Sequence, residues 1–295
     1  MIPRAGSDGF ARSSSNIDRR ALLGSLPALT LAPAAFAQDG TPPLSLSGRY
    51  EQSGFALGRT APRAALLVND KPVGMASADG LFVIGFDRDE PTRAKLTVQT
   101  AQGALDHVFD IAPVDYDIQR IDGLPQDQVT PADPALLARI AEEARRKAVG
   151  FASDIDAEGF RDGFVLPVQG FRLSARFGGQ RILNGVPERP HYGSDLAAPV
   201  GTPVVAPADG TVSFAETGLH FEGALILIDH GQGLISAYLH LSRVEVRTGQ
   251  AVRRGELIGL VGKEGRATGP HLCWRMKWRG RNLDPLLMVG ATRPV

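Results

Sequence analysis

Five of the six histidines of this 295-residue chain lie between His191 and His271, and the single cysteine, Cys273, follows two residues later. Imidazole, thiolate and carboxylate are the side-chain donors that hold zinc, and imidazole also moves protons near neutral pH. Three groupings bring such donors close together. In His191-Tyr192-Gly193-Ser194-Asp195 a His and a carboxylate stand four apart, and the glycine, with Pro190 and Pro199 nearby, argues against a helix. In a loop running into a strand, both side chains can converge on one metal. Tyr238-Leu239-His240 ends the apolar run Leu234 to Leu241, where a strand places Tyr238 and His240 on one face. In Gly269-Pro270-His271-Leu272-Cys273-Trp274 the same period puts His271 and Cys273 on one face and Leu272 and Trp274 on the other.

The remaining histidines read differently. His230, in Asp229-His230-Gly231-Gln232-Gly233, has the setting of a hairpin turn and a structural role. His220, between Gly218 and Gly223, falls in a loop where it could line a groove. A lone cysteine excludes an intrachain disulfide and by itself behaves as a small apolar residue.

The elements that position these residues follow from composition and pattern. The chain has 34 Gly and 21 Pro among short Val, Leu and Ile runs, which favours strands and turns. Its 32 Lys and Arg balance 32 Asp and Glu, so no overall charge bias points to nucleic acid, and none is expected as a partner. Residues 1–37 read as an export signal: Arg19-Arg20, an uncharged apolar stretch from Ala21 to Phe36, and an A-x-A ending at Ala37. The arginine pair also resembles a twin-arginine signal. The stretch is short for a membrane span, so the mature chain, beginning at Gln38, is expected in the periplasm or cell envelope without a stable span. Residues 38–120 carry β signals at close spacing and suggest a small antiparallel sandwich. Residues 121–163 form a linker and connecting helix, with Leu136, Leu137, Ile140 and Ala144 at helical spacing and Glu142, Glu143, Arg145 and Arg146 on the solvated side. Thr130 or Asp133 caps its start and Gly150 stops it. Residues 164–290 return to strands and turns. The fold class is therefore mainly β: a small β-sandwich-like module, a connecting helix and a compact antiparallel β domain.

Arg176-Phe177-Gly178, His191-Tyr192-Gly193-Ser194-Asp195, Tyr238-Leu239-His240-Leu241 and Thr268-Gly269-Pro270-His271-Leu272 occur in an order that resembles the lysostaphin-type (LytM-domain) zinc metallopeptidases. The resemblance covers roughly residues 164–290 and does not reach the N-terminal module. It implies a compact antiparallel β fold, a zinc cofactor (Zn2+) and hydrolysis of peptide bonds in bacterial peptidoglycan. By position, His191 and Asp195 match two zinc ligands, and His240 and His271 match the two catalytic histidines that do not bind metal. His271 would take the proton of the attacking water and return it to the leaving amine, while His240 would stabilise the oxyanion.

The departure from the family is its third ligand, a histidine, where this chain has Cys273. Thiolate is itself a zinc ligand, so the expected metal set is His191, Asp195 and Cys273. Zinc with one carboxylate and one thiolate is formally neutral, which should make bound water less acidic and tune or reduce activity. The competing reading is a catalytically weak or inactive LytM-domain protein that regulates other cell-wall hydrolases, with cell-envelope proteins as partners. From Arg243 to Arg281 ten Lys or Arg face three Glu, a local excess that could attract the carboxylates of peptidoglycan peptides. Arg275, Lys277 and Arg279 share strand parity with Cys273.

Overall fold

Short apolar runs separated by tight turns become strands throughout residues 43–294, the part of the chain that the computed structural model describes. The reading of residues 1–37 as an export signal lies outside these residues. Ala65–Val68 and Lys71–Met75 show the local logic: they meet at Asn69-Asp70, both left-handed (φ 50° and 63°), as a two-residue hairpin turn of the type I′ kind requires. These strands, with Arg93–Thr100 and Gly103–Asp110, make a four-stranded antiparallel sheet. A three-stranded sheet of Ser45–Arg49, Phe55–Arg59 and Leu81–Gly85 shares its core, with Phe55, Leu57, Phe82 and Ile84 clustering with Leu66, Leu96 and Val98. The sandwich-like module is thus present.

Its core continues into the rest of the molecule. Gly85 lies so close to the C-terminal strands that a Cβ there would stand 2.8 Å from Trp278 Cβ and 2.9 Å from Leu283 Cδ2. Hydrogen bonds from Asp284 N–H to the Ser53 carbonyl (2.8 Å) and from Asn282 N–H to Asp87 Oδ1 (3.0 Å) fix the junction.

The connecting helix spans Pro134–Phe151, capped by Asp133, whose carboxylate accepts from Leu136 N–H at 2.9 Å, with Pro134 at its first position. Two expectations are corrected here. Gly150 does not stop the helix but lies inside it and is buried, because a Cβ would meet Phe214 Cβ at 2.8 Å and Leu227 Cδ1 at 2.9 Å. Close approach to the sheet, not termination, requires glycine there. Glu143 is not on the solvated side: it is 3% exposed and accepts from His220 N–H (2.9 Å) and Arg139 Nε (2.7 Å). Burial alone would raise its carboxyl, but these donors hold it below its ordinary value. Ion pairs Arg146–Glu216 and Lys147–Glu222 clamp the same helix to the sheet.

The C-terminal part is built on an eight-stranded antiparallel sheet. Its path runs Ala251–Val252, Gly210–Leu219, Gly223–Asp229, Leu234–Leu239, Leu272–Trp278, Ser194–Ala197, Arg172–Ala175, with Arg281–Leu283 also on Leu272–Trp278. Gly223–Asp229 and Leu234–Leu239 are buried at every residue, as strands covered on both faces are. One face carries Tyr238, Trp274 and Met276 of the main core; the other carries Leu225, Leu227, Ala237, Leu239 and Cys273. A three-stranded sheet of Pro203–Val205, Leu257–Val261 and Leu241–Val244 completes it. Gln180–Leu183 pairs in parallel with Ile118–Ile121, which brings the chain leaving the N-terminal module beside the C-terminal sheet.

Candidate metal centre

Register places the donors. Asp195, in Ser194–Ala197, lies opposite Cys273 of Leu272–Trp278, and Cys273 lies opposite Leu239. His191 enters from the loop before Asp195, so that its Nε2 stands 3.1 Å from Asp195 Oδ1 and 3.3 Å from Cys273 Sγ. The three donor atoms lie within 4.8 Å of one another, and all three residues are buried. Gly193 permits this approach: a Cβ would lie 2.7 Å from Arg275 Cγ and 2.9 Å from Cys273 Sγ.

His271 sits at the start of the Cys273 strand, with Nε2 3.7 Å from Asp195 Oδ1, on the expected face. His240 does not follow the expected pattern. The strand ends at Leu239, and His240 is left-handed at φ 66°, which breaks the two-residue alternation. Tyr238 therefore stays in the core, bonded to Ser236, while His240 turns to the opposite side, its ring centre 4.8 Å from that of His271. Both rings have fixed tautomers: Nδ1–H of His240 donates to the Glu264 carbonyl (2.7 Å) and Nδ1–H of His271 to the Gly269 carbonyl (2.8 Å), so each turns Nε2 toward the site.

The electrostatics suit a cation. Three lone-pair donors facing one another repel unless a proton or metal lies among them, and Asp195 Oδ1, although close to His191, has no aligned hydrogen-bond donor. Tetrahedral zinc with ordinary Zn–N, Zn–O and Zn–S lengths separates its donors by about 3.3–3.6 Å, close to the two spacings from His191 Nε2, 3.1 and 3.3 Å. The residues present fit the metal. Burial would raise the Asp195 carboxyl, but His191, His271 and the Arg181 guanidinium hold it well below the usual carboxylate range. Burial pushes His240 down to about 4 and His271 also downward, against the pull of Asp195 on both.

His230 and His220 are structural. His230 is fully buried in the hairpin between Gly223–Asp229 and Leu234–Leu239; Nδ1–H donates to the Asp209 carbonyl (2.7 Å) and Nε2 accepts from Ser236 Oγ (2.7 Å). His220 does not line a groove: Nε2–H donates to the Asp127 carbonyl at 3.0 Å, tying the linker to the sheet.

Sequence reading missed Arg181, whose Nη2 is 3.5 Å from Asp195 Oδ2, and the linker residues Ile121 and Leu124, which line a small pocket with Asp195, His240 and His271. No local signal marks them, because parallel pairing of distant segments brings them in. Beside this pocket opens a cleft of about 750 Å³ bordered by Arg120, Arg172, Arg176, Asp195, Thr268 and His271.

Residues 189–285 match the model of Peptidase family M23. The chain is 42% identical to the peptidoglycan DD-endopeptidase ShyA of Vibrio cholerae over 118 residues, 39% of this chain and 27% of that protein. It is 41% identical to the DD-carboxypeptidase/endopeptidase Mpg of Neisseria meningitidis over 104 residues, 35% of this chain and 24% of that protein. The match thus spans about a quarter of the length of these curated relatives. The crystal structure of a peptidase M23 from Pseudomonas aeruginosa aligns with a TM-score of 0.63 and 30% identity, covering 83% of this chain and 96% of that one. With the family stretch spanning His191 to Cys273, and the fold shared over nearly the whole of a family structure, the chain belongs to peptidase family M23.

Proposed function

We propose that the chain is an exported zinc metallopeptidase that hydrolyses peptide crosslinks of bacterial peptidoglycan in the periplasm or cell envelope. The observation that carries this reading is the convergence of His191, Asp195 and Cys273 beside two histidines whose Nδ1 protons are committed to carbonyls. The substrate class is supported by the activities named for ShyA and Mpg. His191, Asp195 and Cys273 would hold the zinc, which would supply a Lewis acid for the scissile carbonyl and acidify water. His271, its tautomer fixed by Gly269, offers Nε2 to accept the proton of the attacking water and to deliver it to the leaving amine. His240, fixed in the same way by Glu264, also presents a lone pair at rest. It would stabilise a developing oxyanion only as an imidazolium, with its proton taken up from solvent, since the proton that His271 accepts goes to the leaving amine.

Metal analysis of purified protein beside a digest of crosslinked peptidoglycan tests the proposal. One zinc per chain and new peptide ends that a chelator abolishes are expected; zinc-loaded protein that releases no ends sinks it. Cys273 itself favours a second reading, in which a neutral ligand set leaves a weak or inactive family member that regulates other cell-wall hydrolases. Turnover by Cys273→His but not by the natural chain would support that reading. Export is tested by N-terminal sequencing of envelope protein, which should begin at Gln38.

A further inference from the structure

Next to the small pocket lined by Asp195, His240 and His271 lies another cavity, of about 510 Å³, which shares Arg181 and Arg266 with it and has His191 in its wall. Arg189, Arg275 and Lys277 also line it, against a single carboxylate, Glu188. Two of these cations already face the metal-competent residues: Arg181 faces Asp195, and Arg275 Nε–H points at Cys273 Sγ, 3.4 Å away. The others have no anion of their own. Arg266 stacks on Phe221 and donates to the Gln128 carbonyl, and Lys277 rests its ammonium over the Phe151 ring, 4.6 Å from its centre. Among the described residues, Arg189, Arg266, Arg275 and Lys277 form no ion pair. Burial and then the neighbouring Arg275 push the Lys277 ammonium below its ordinary range, and burial and Arg181 do the same to Arg266. Like charges gathered in a half-buried cavity repel one another, and the arrangement is relieved by an anion that enters.

We propose that this cavity binds a free carboxylate of the substrate peptide, next to the bond that is cut. The inference rests on the peptidase reading and deepens it. Guanidinium forks match carboxylate geometry, and the wall formed by His191 and Tyr192 sets the cavity directly beside the proposed metal site. An extended peptide advances about 3.3 Å per residue, so the carboxylate belongs to a residue within one or two of the scissile bond. The larger cleft bordered by Arg172 and His271 takes the chain on the other side.

The test uses the full mature chain loaded with zinc and two crosslinked peptides that differ only in amidation of the free carboxylates flanking the scissile bond. The carboxylate form should be cleaved with kcat/KM at least roughly tenfold higher, as expected for a lost charge-assisted pair. The double variant Arg189→Gln/Lys277→Gln should bind zinc as the natural chain does while its discrimination falls toward one. Equilibrium binding of both peptides to zinc-free protein is measured alongside. Cleavage and binding that ignore amidation would overturn the inference and leave the peptidase reading standing. No cleavage of either peptide, but preferential binding of the carboxylate form, would sink the peptidase reading and keep the site. Binding of neither overturns the site.

Discussion

Asp195 and Asp229 sit in the same large sheet, both buried, and differ in what their oxygens find. Asp229 accepts from Ser153 Oγ (2.6 Å), from Ile155 N–H (3.0 Å) and from Gly231 N–H (2.8 Å), so its charge is fully answered by the chain. Asp195 Oδ1 faces His191 Nε2 and Cys273 Sγ with no aligned donor. The neighbouring histidines repeat the contrast: His230 has a partner at each nitrogen, whereas His191 has none at Nδ1 and at Nε2 meets only Cys273 Sγ and Asp195 Oδ1, the other two metal-competent groups. A buried polar group costs little when every lone pair and proton is matched, and is expensive when one is not. The satisfied cluster is architecture, and the other has the donor chemistry of the proposed metal site.

Substitution should separate the two clusters most sharply at the metal. Replacing His191 or Asp195 with Ala should remove both zinc and peptidoglycan cleavage, seen by metal analysis and by release of new peptide ends. Replacing His271 or His240 should retain zinc but slow turnover, by roughly 10² to 10⁴-fold for a lost proton-transfer partner. Zinc loss in either of those variants would erase the distinction between ligand and non-ligand histidines.

In the satisfied cluster the effect should fall on stability. His230→Ala leaves the Asp209 carbonyl without its partner and the Ser236 hydroxyl with Tyr238 alone, and denaturant titration of the metal-loaded protein should show a loss of about 2–4 kcal/mol with zinc retained. Burial holds His230 near a pKa of about 4, despite its bond to Asp209. Unfolded, it titrates near 6.5, so above that pH both states are neutral and this contribution is complete. As pH falls from about 6.5 to about 4 the unfolded chain takes up the proton first, and up to roughly 3 kcal/mol is lost. His230→Gln should flatten that part of the stability profile; an unchanged slope would mean other groups set it. The smallest change in rate belongs to Cys273→His, which restores a unit of positive charge to the proposed ligand set. Activity should be equal or higher, and X-ray absorption should lose a single sulfur scatterer at about 2.3 Å from zinc. A natural chain without that scatterer would make Cys273 a packing residue.

Much of this was readable before any coordinates. The cap at Asp133, one of two candidates with Thr130, and the placing of His271 and Cys273 on one face follow from capping chemistry and strand alternation. The same alternation misled at His240, because this residue, just past the strand end, is itself left-handed and its own side chain turns to the other face. Gly150 misled in the same way: a glycine read as a helix stop serves as a contact point against Phe214 and Leu227.

The sequence by itself determined which residues can bind a metal or carry a proton, their order along the chain, and the strand periods that hold them. Those depend on side-chain chemistry and on backbone geometry within a few residues. Only the tertiary structure decided that Arg181 reaches Asp195 and that Ile121 and Leu124 border the site. These contacts join segments far apart in sequence through register and parallel pairing, and no local pattern encodes which distant strand a given strand will meet.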